Sequence, residues 1–381
     1  MASKMETMTK KVTNFKIFDP NSPDDKVAYE LAILSHELWS NMHYPHQTNS
    51  IEFYKRRLAL PWKIDQKMIY ILIQSSSGES IGYCRLMFNT GKTNKHLCWT
   101  DFYIKPEYRR QGYFKALCLE SFKQLPNYVK IYQFFFRVDE NQKYPNEMTT
   151  LDAKLSSLAD QLDSKLSFIG RRSEVDLTKH SLNDVSQKAK DLELKANRNG
   201  YSIVFVDDIA FKDLSFTRAQ YVKLLEELDN DMPRDNNSQE DSTITEEDFL
   251  NMFKFDKKEE LTEWLYIAVD NKTGIPIAMT ETRIRADLPN IAYVGDTGVK
   301  REHRGKKLGL TLKYLMMQRL LSDPISKNKV KFWITHNAYS NKHMIAINDE
   351  LGYVQSGLEH QYEFRIDKLK EFLEINNYQS E

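Results

Sequence analysis

The residues best placed to do chemistry lie in the stretch Val294-Gly-Asp-Thr-Gly-Val-Lys-Arg-Glu-His-Arg-Gly-Lys-Lys-Leu-Gly-Leu-Thr-Leu-Lys313. It opens on apolar, strand-like residues and passes through a run dense in Lys and Arg. Leu308, Leu310, Leu312, Leu315 and Met316 then recur broadly along one side of a helix. The reading is strand, tight basic loop, helix N-terminus. Such a junction attracts anions, because the first helical N–H groups lack partners and the dipole adds roughly half a positive charge. Gly305 and Gly309 remove side chains where the backbone must approach a phosphate, while Arg304, Lys306 and Lys307 add charge. The chemistry expected is a diphosphate held on backbone amides. Basic runs are commonly solvated faces; the strand-to-helix placement and the two glycines set this one apart. No Gly-Lys-Ser/Thr closes the loop and no G-x-G opens it, which excludes a P-loop and a dinucleotide fingerprint.

The stretch resembles motif A of the GNAT superfamily of N-acetyltransferases, Arg/Gln-x-x-Gly-x-Gly/Ala after a strand ending in Val. Arg304 stands at the first position, Lys307 replaces the first Gly, and Gly309 matches the last. The resemblance implies acetyl-CoA as co-substrate, with its pyrophosphate on the amides of Arg304, Gly305, Lys306, Lys307, Leu308 and Gly309. It also implies that the strand end Thr297-Gly298-Val299 contacts the cofactor, Val299 N–H being the family's usual partner of the thioester carbonyl. Lys307, a non-glycine residue at that position, can still donate its N–H if its φ is negative.

A second match runs from Trp333 to Tyr353 and resembles the fifth strand and following helix of GNAT enzymes. The positions of the usual Asn, small residue, Tyr and Gly-Phe hold Asn341, Met344, Asn348 and Gly352-Tyr353, and helical spacing puts 341, 344/345 and 348 on one face. By resemblance Asn341 binds the pantetheine arm or an adjacent backbone group, with help from Asn337. Asn348 stands where the family often has the tyrosine that protonates the leaving thiolate. It has no titratable proton but has an N–H to donate to sulfur. Tyr339, Tyr353 or a water are the alternative acids, and a capping or packing amide is the plain alternative for Asn348. The reaction class also needs a proton sink, since lysine-like amines are mostly protonated at neutral pH. Glu281 and Asp296 are the candidates. Glu281 lies on the strand face opposite Thr280 and Thr282, with an exposed carboxylate paired to Arg283 or Arg285 as the alternative. For Asp296 the alternative is a bulge carboxylate beside Gly295 and Gly298.

Two rounds of similar elements position these residues. Strand candidates at 15–18, 68–74, 81–88, 97–104, 129–138 and 168–177 and helices at 24–42, 51–60, after the loop 105–115 to about 125, and at 149–165 form the first. In the second, strands at 201–206, 264–269, 277–284, 291–299, 330–335 and 361–366 alternate with helices at 217–228, 245–253, 308–316 and 341–351. Ile104-Lys-Pro-Glu-Tyr-Arg-Arg-Gln-Gly112 aligns with Val299-Lys-Arg-Glu-His-Arg-Gly-Lys-Lys307, a repeat of roughly 190 residues that indicates duplicated domains rather than a solenoid. The first copy carries Phe114 where motif A needs Gly or Ala, Ser167 in place of the later Gly, and Ser156 and Asp163 at the Asn and Tyr positions. It therefore reads as a degenerate, mainly structural half. The acidic run 229–247 reads as a surface loop leading to a helix capped by Thr243 or Thr245.

The chain of 381 residues is 41% hydrophobic, and its 54 basic and 54 acidic residues cancel, so charge points to neither nucleic acid nor membrane. Cys84, Cys98 and Cys118 form no C-x-x-C pair, so neither zinc nor a disulfide framework is expected, and with no apolar signal core or membrane span the cytoplasm is the expected location. The fold class expected is α/β, two tandem GNAT-like mixed, mostly antiparallel sheets flanked by helices: domain 1–180, connector helix 181–198, catalytic domain 199–381. The implied function is acetyl transfer from acetyl-CoA to a primary amine of a small molecule, peptide or protein, with no metal. A non-catalytic acyl-CoA sensor is the alternative, followed by a Fem-like aminoacyl transferase.

Overall fold

The computed structural model describes residues 12–20, 23–41, 49–58, 65–138, 162, 164–207, 211, 214–258 and 260–375. In chain order the elements are β1 (Val12–Phe18), α1 (Asp25–Asn41), α2 (Ile51–Arg57), β2 (Gln66–Ser75), β3 (Ser80–Asn89), β4 (Leu97–Ile104), α3 (Tyr113–Gln124) and β5 (Ile131–Val138). They continue with β6 (Lys165–Asp176), α4 (Leu182–Arg198), β7 (Tyr201–Val206), α5 (Arg218–Asn230), α6 (Glu246–Lys258), β8 (Leu261–Asp270), β9 (Ile275–Arg285) and β10 (Ile291–Val299). The last are α7 (Leu308–Ser322), β11 (Phe332–Ala338), α8 (Lys342–Glu350), β12 (Val354–Arg365) and α9 (Ile366–Ile375). The expected start 1–11, most of the helix expected at 149–165, and Ser156 and Asp163 lie outside the described residues.

Two compact units emerge. The first holds residues 1–168, 236–240 and 359–381, the second 169–235 and 241–358. These bounds differ from 1–180, 181–198 and 199–381 because chain order does not decide packing. The stretch expected to connect domains is α4, capped by Ser181 and carrying a buried stripe of Val185, Ala189, Leu192 and Ala196. Val185 and Leu192 join the core of the second unit beside Met316, Leu320 and Trp333, so α4 is a structural helix of that unit. The pentapeptide 236–240 of the acidic run packs with the first unit. Ser238 donates from N–H and Oγ to Glu363 at 2.8 and 2.5 Å, and Glu240 N–H donates to Asn94 Oδ1 at 2.7 Å. Thr245 caps α6 by accepting from Asp248 N–H at 3.1 Å.

In the first unit the strand order is β1-β2-β3-β4-β5, followed by the C-terminal part of β12; β4 and β5 run parallel, and β1 to β4 antiparallel. In the second the order is β6-β11-β10-β9-β8-β7, with β10 and β11 parallel and every other neighbouring pair antiparallel. Alternation sorts the second sheet's faces. Ala278 clusters with Leu308 and Leu312 of α7, whereas Met279, on the opposite face, packs with Tyr221, Leu225 and Leu228 of α5. Gly298 is what lets α5 come this close: a Cβ there would stand 2.9 Å from Leu228 Cδ2.

Candidate active site

The site begins as a split in the second sheet. β10 and β11 pair from Ile291↔Phe332 through Tyr293↔Ile334 and no further, although β10 runs on to Val299 and β11 to Ala338. A break in register between Val294 and Thr297 turns the end of β10 relative to β9. This is the bulge anticipated around Asp296. Past it, Lys300 N–H donates to Ile277 O on β9 at 2.9 Å, so strand alternation turns Val299 N–H the other way, into the opening towards β11. An extended chain fits such a wedge, with Val299 N–H available to an acyl oxygen.

The basic loop closes the wedge at its far end. Arg304 Nε donates to Val299 O at 3.0 Å, and the equivalent Arg109 Nε donates to Ile104 O at 2.9 Å in the first unit, which fixes the alignment of the two loops. Both loops pass twice through the left-handed region, at Arg110 and Gly112 and at Gly305 and Lys307, with φ of 59°, 83°, 78° and 60°. Each copy thus places one glycine and one basic residue on the same path, in opposite order. The φ at Lys307 is positive rather than negative, because this residue is the N-cap that turns the chain into α7. A non-glycine residue there costs about 1–2 kcal/mol. Leu308 and Gly309 begin the helix and are buried. A Cβ on Gly309 would meet Ile347 Cδ1 at 3.5 Å and Val299 Cγ2 at 3.7 Å, so this glycine lies between α7, α8 and β10 rather than in an exposed loop. Gly305 has open space around it.

The loop's charges are not all free for phosphate. Arg301 and Arg304 both bond Asp231 at the end of α5, and Lys300 pairs with Glu227 at 2.7 Å. Lys306 bonds the Tyr201 hydroxyl, which also meets His303 Nδ1 at 3.1 Å. Asp231 was not foreseen; it sits in the acidic run, where nothing in the pattern singles it out.

The two carboxylates expected as proton sinks gather on the α5 side of the sheet. Glu281 is only 5% exposed, its carboxylate 2.5 Å from Arg283 Nε, while Arg283 Nη2 donates to Glu263 at 3.3 Å. The expected Arg283 partnership is present, but the carboxylate is buried rather than exposed. Gly295 is the reason it fits, since a Cβ there would lie 2.5 Å from Glu281 Oε1. Burial raises the Glu281 pKa well above the usual range; Arg283 opposes this, and Glu263 and Asp296 add to it. Asp296 is half-buried and its pKa is also raised, by desolvation and then by Asp229, with Arg283 opposing. Thr297 faces the other way and bonds Thr280 across the strands at 2.7 Å.

On the β11 side Asn337 and Asn348 come together: Asn348 Nδ2 donates to Asn337 Oδ1 at 2.7 Å. Behind them lies Lys313 of α7, fully buried, donating from Nζ to Asn348 Oδ1 at 2.6 Å. The ammonium lies 4.8 Å from the Tyr353 ring and 5.2 Å from the Trp333 ring, and desolvation lowers its pKa to about 7. The sequence carried a faint sign of it, a lysine four residues after Gly309 within a helix otherwise apolar on that side. Asn341 bonds the adjacent backbone, the second of its expected partners: it caps α8, its Oδ1 accepting from Met344 N–H at 3.2 Å. Of the alternative acids, Tyr339 is 51% exposed, and Tyr353 is buried with its pKa pushed well up by desolvation.

The first unit has the same split, since β4 and β5 pair only as far as Thr100↔Phe134 while β4 runs on to Ile104. There, rings take up the space. Phe102 stacks on Phe134 at 5.5 Å and meets Phe114 edge-on at 5.3 Å. By register and alignment these three positions hold Thr297, Thr335 and Gly309 in the second unit.

Residues 31–144 match the model of the acetyltransferase (GNAT) family. Among curated proteins no sequence matches the chain. Among solved structures, the chain resembles a tandem GNAT protein from the clavulanic acid biosynthesis pathway, with 18% identity, 93% of this chain and 99% of that chain covered and a TM-score of 0.64. It also resembles a GCN5-related N-acetyltransferase from Sphaerobacter thermophilus, with 14% identity, coverage of 92% and 96% and a TM-score of 0.57. The family match falls on the unit whose wedge is filled with rings, and the open wedge lies in the other copy. Residues 31–144 thus match the acetyltransferase (GNAT) family model, and the chain as a whole has the fold of tandem GNAT proteins.

Proposed function

We propose that this chain is an acetyl-CoA-dependent N-acetyltransferase whose chemistry lies in the second unit. The observation that carries the reading is the open wedge between β10 and β11, ending on the glycine-bearing start of α7, where the first unit carries Phe102, Phe114 and Phe134. The residues present fit the ligand. Gly305 leaves open space at the loop, Gly309 adds no bulk at the helix start, and Val299 N–H faces the opening. Bound there, acetyl-CoA supplies the thioester as acetyl donor.

Asp296 is the base we assign, because it is the less buried carboxylate, three residues before Val299, whereas Glu281 is held on Arg283. Its raised pKa suits it to taking a proton from an ammonium acceptor. The neutral amine then attacks the carbonyl carbon; the C–N bond forms, the C–S bond breaks, and Val299 N–H stabilises the developing oxyanion. Asn348 donates an N–H to the leaving sulfur, and the proton that the nitrogen loses on becoming an amide passes through solvent to the thiolate. The acceptor is a primary amine, small or peptidic. The first unit serves a structural or acceptor-shaping role, and the three buried free cysteines suit a cytoplasmic setting. Among the described residues no helix is long and apolar enough to cross a membrane.

Thiol release from acetyl-CoA with a panel of amines tests the reaction, and calorimetry with acetyl-CoA tests the site. Gly309→Phe, which installs the ring of the first unit, should weaken acetyl-CoA binding by about tenfold or more, about 1.4 kcal/mol. Gly309→Ala should leave it unchanged, since its Cβ meets neighbours at ordinary distances. Equal affinity in both variants would exclude the wedge as the site. The placement of Asn348 where a proton donor is expected favours one second reading, a non-catalytic acyl-CoA sensor. Tight binding with no thiol release across the panel would select it.

A further inference from the structure

We propose that Lys313 is a positioning residue of the transfer site: it locks a chain of two side-chain amides, Asn348 and Asn337, so that their N–H groups are presented to the wedge. The inference rests on the reading of that wedge as the acyl-CoA site.

The argument starts from hydrogen-bond polarity. Lys313 Nζ donates to Asn348 Oδ1 at 2.6 Å, which turns Asn348 Nδ2 away from α7. That Nδ2 donates to Asn337 Oδ1 at 2.7 Å, which in turn fixes Asn337 Nδ2 on the far side. The chain therefore has one direction, from the buried cation outwards. It ends on β11 in the stretch that has left β10, where a second Nδ2–H of Asn348 and both Nδ2–H groups of Asn337 have no acceptor among the described residues. Three elements hold it: α7, whose N-terminus closes the wedge, α8, and β11. Donors aimed in advance at a site of developing negative charge stabilise it without reorganising. A titratable acid is then not required at position 348.

Lys313 contributes nothing to packing that an apolar side chain would not. It lies among Trp333 and Tyr353 with an amide as its hydrogen-bond partner, and a methionine fills a comparable volume without a charge to desolvate. A lysine kept in such surroundings is explained by what it holds rather than by the stability it adds.

The test is a double-mutant cycle in the full chain with two readouts. Lys313→Met should lower kcat by about tenfold to a hundredfold while leaving the KM for acetyl-CoA within about threefold. Asn348→Ala should lower kcat at least as much, and the double variant should be no slower than Asn348→Ala alone, because Lys313 acts through that amide. Losses that simply multiply, or a Lys313→Met enzyme as fast as wild type, overturn the proposal. The second readout does not need turnover: hydrogen exchange at the side-chain amide of Asn348, whose Nδ2 donates to Asn337 Oδ1, followed by NMR. It should be protected in the wild type and released in Lys313→Met. If the amide is protected and released in this way but no variant transfers acetyl groups, the lock stands and the enzymatic reading falls. If exchange is the same in both proteins, the lock itself is refuted.

Discussion

Replacing Lys313 by methionine should make the protein more stable at neutral pH, and the size of the gain follows from burial. Desolvation takes the lysine from 10.5 to about 7 with no carboxylate to compensate. At ~1.4 kcal/mol per pH unit, that corresponds to about 4 kcal/mol of folding free energy lost at pH 7. Methionine removes this penalty and lies well against Trp333 and Tyr353. It also strands the Asn348 oxygen, at a cost of about 1–3 kcal/mol. The net expectation is a gain of about 1–3 kcal/mol at pH 7. The sign of the pH dependence is fixed as well. A lysine depressed in the folded state is protonated in the unfolded chain and neutral in the folded one between about 7 and 10.5, so wild-type stability rises with pH across that window. Below it the penalty is complete. Lys313→Met should lack the rise, so the gap between the two proteins closes as pH approaches 10.5 and reverses once only the stranded amide remains. Urea denaturation at several pH values across the window reads both effects. A variant less stable than wild type at pH 7, or one retaining the wild-type pH dependence, would show that Lys313 is not buried unpaired as drawn.

Lys307→Gly should stabilise the chain by about 1 kcal/mol, since a left-handed N-cap costs glycine little; an unchanged or lowered melting temperature would contradict the positive φ. Gly295→Ala should destabilise by about 1–3 kcal/mol, because its Cβ would enter the Glu281 carboxylate; a neutral substitution would mean that the carboxylate is free to move aside. The acid limb of kcat/KM should lie above the ordinary carboxylate range, activity falling as pH drops through the raised pKa of the base, and Asp296→Asn should abolish that limb. If Glu281→Gln abolishes it instead, the base is the buried carboxylate.

Local pattern was enough for most of what repeats along the chain. Strand, basic loop and helix start were readable at 294–313 because apolar periodicity and glycine placement are local, and the same grammar at 104–112 exposed the duplication. The structure keeps both loops on one path, even where Gly and Lys or Arg exchange places. It could not be read from spacing that Lys307 adopts the left-handed conformation, since the chain's turn into α7 imposes it against the residue's preference. Nor did spacing reveal that Glu281 would be buried over Gly295, because that depends on what a neighbouring strand brings to the residue. Chain order likewise suggested a connector where α4 is core, and a free loop where residues 236–240 pack with the first unit. Lys313 marks the limit most clearly. In sequence it is one charge in an apolar helix; only when α7, α8 and β11 close around it does it become a buried cation whose partner is an amide at the mouth of the wedge. Sequence determines which side chains a helix face offers, and tertiary packing determines which of them loses its water.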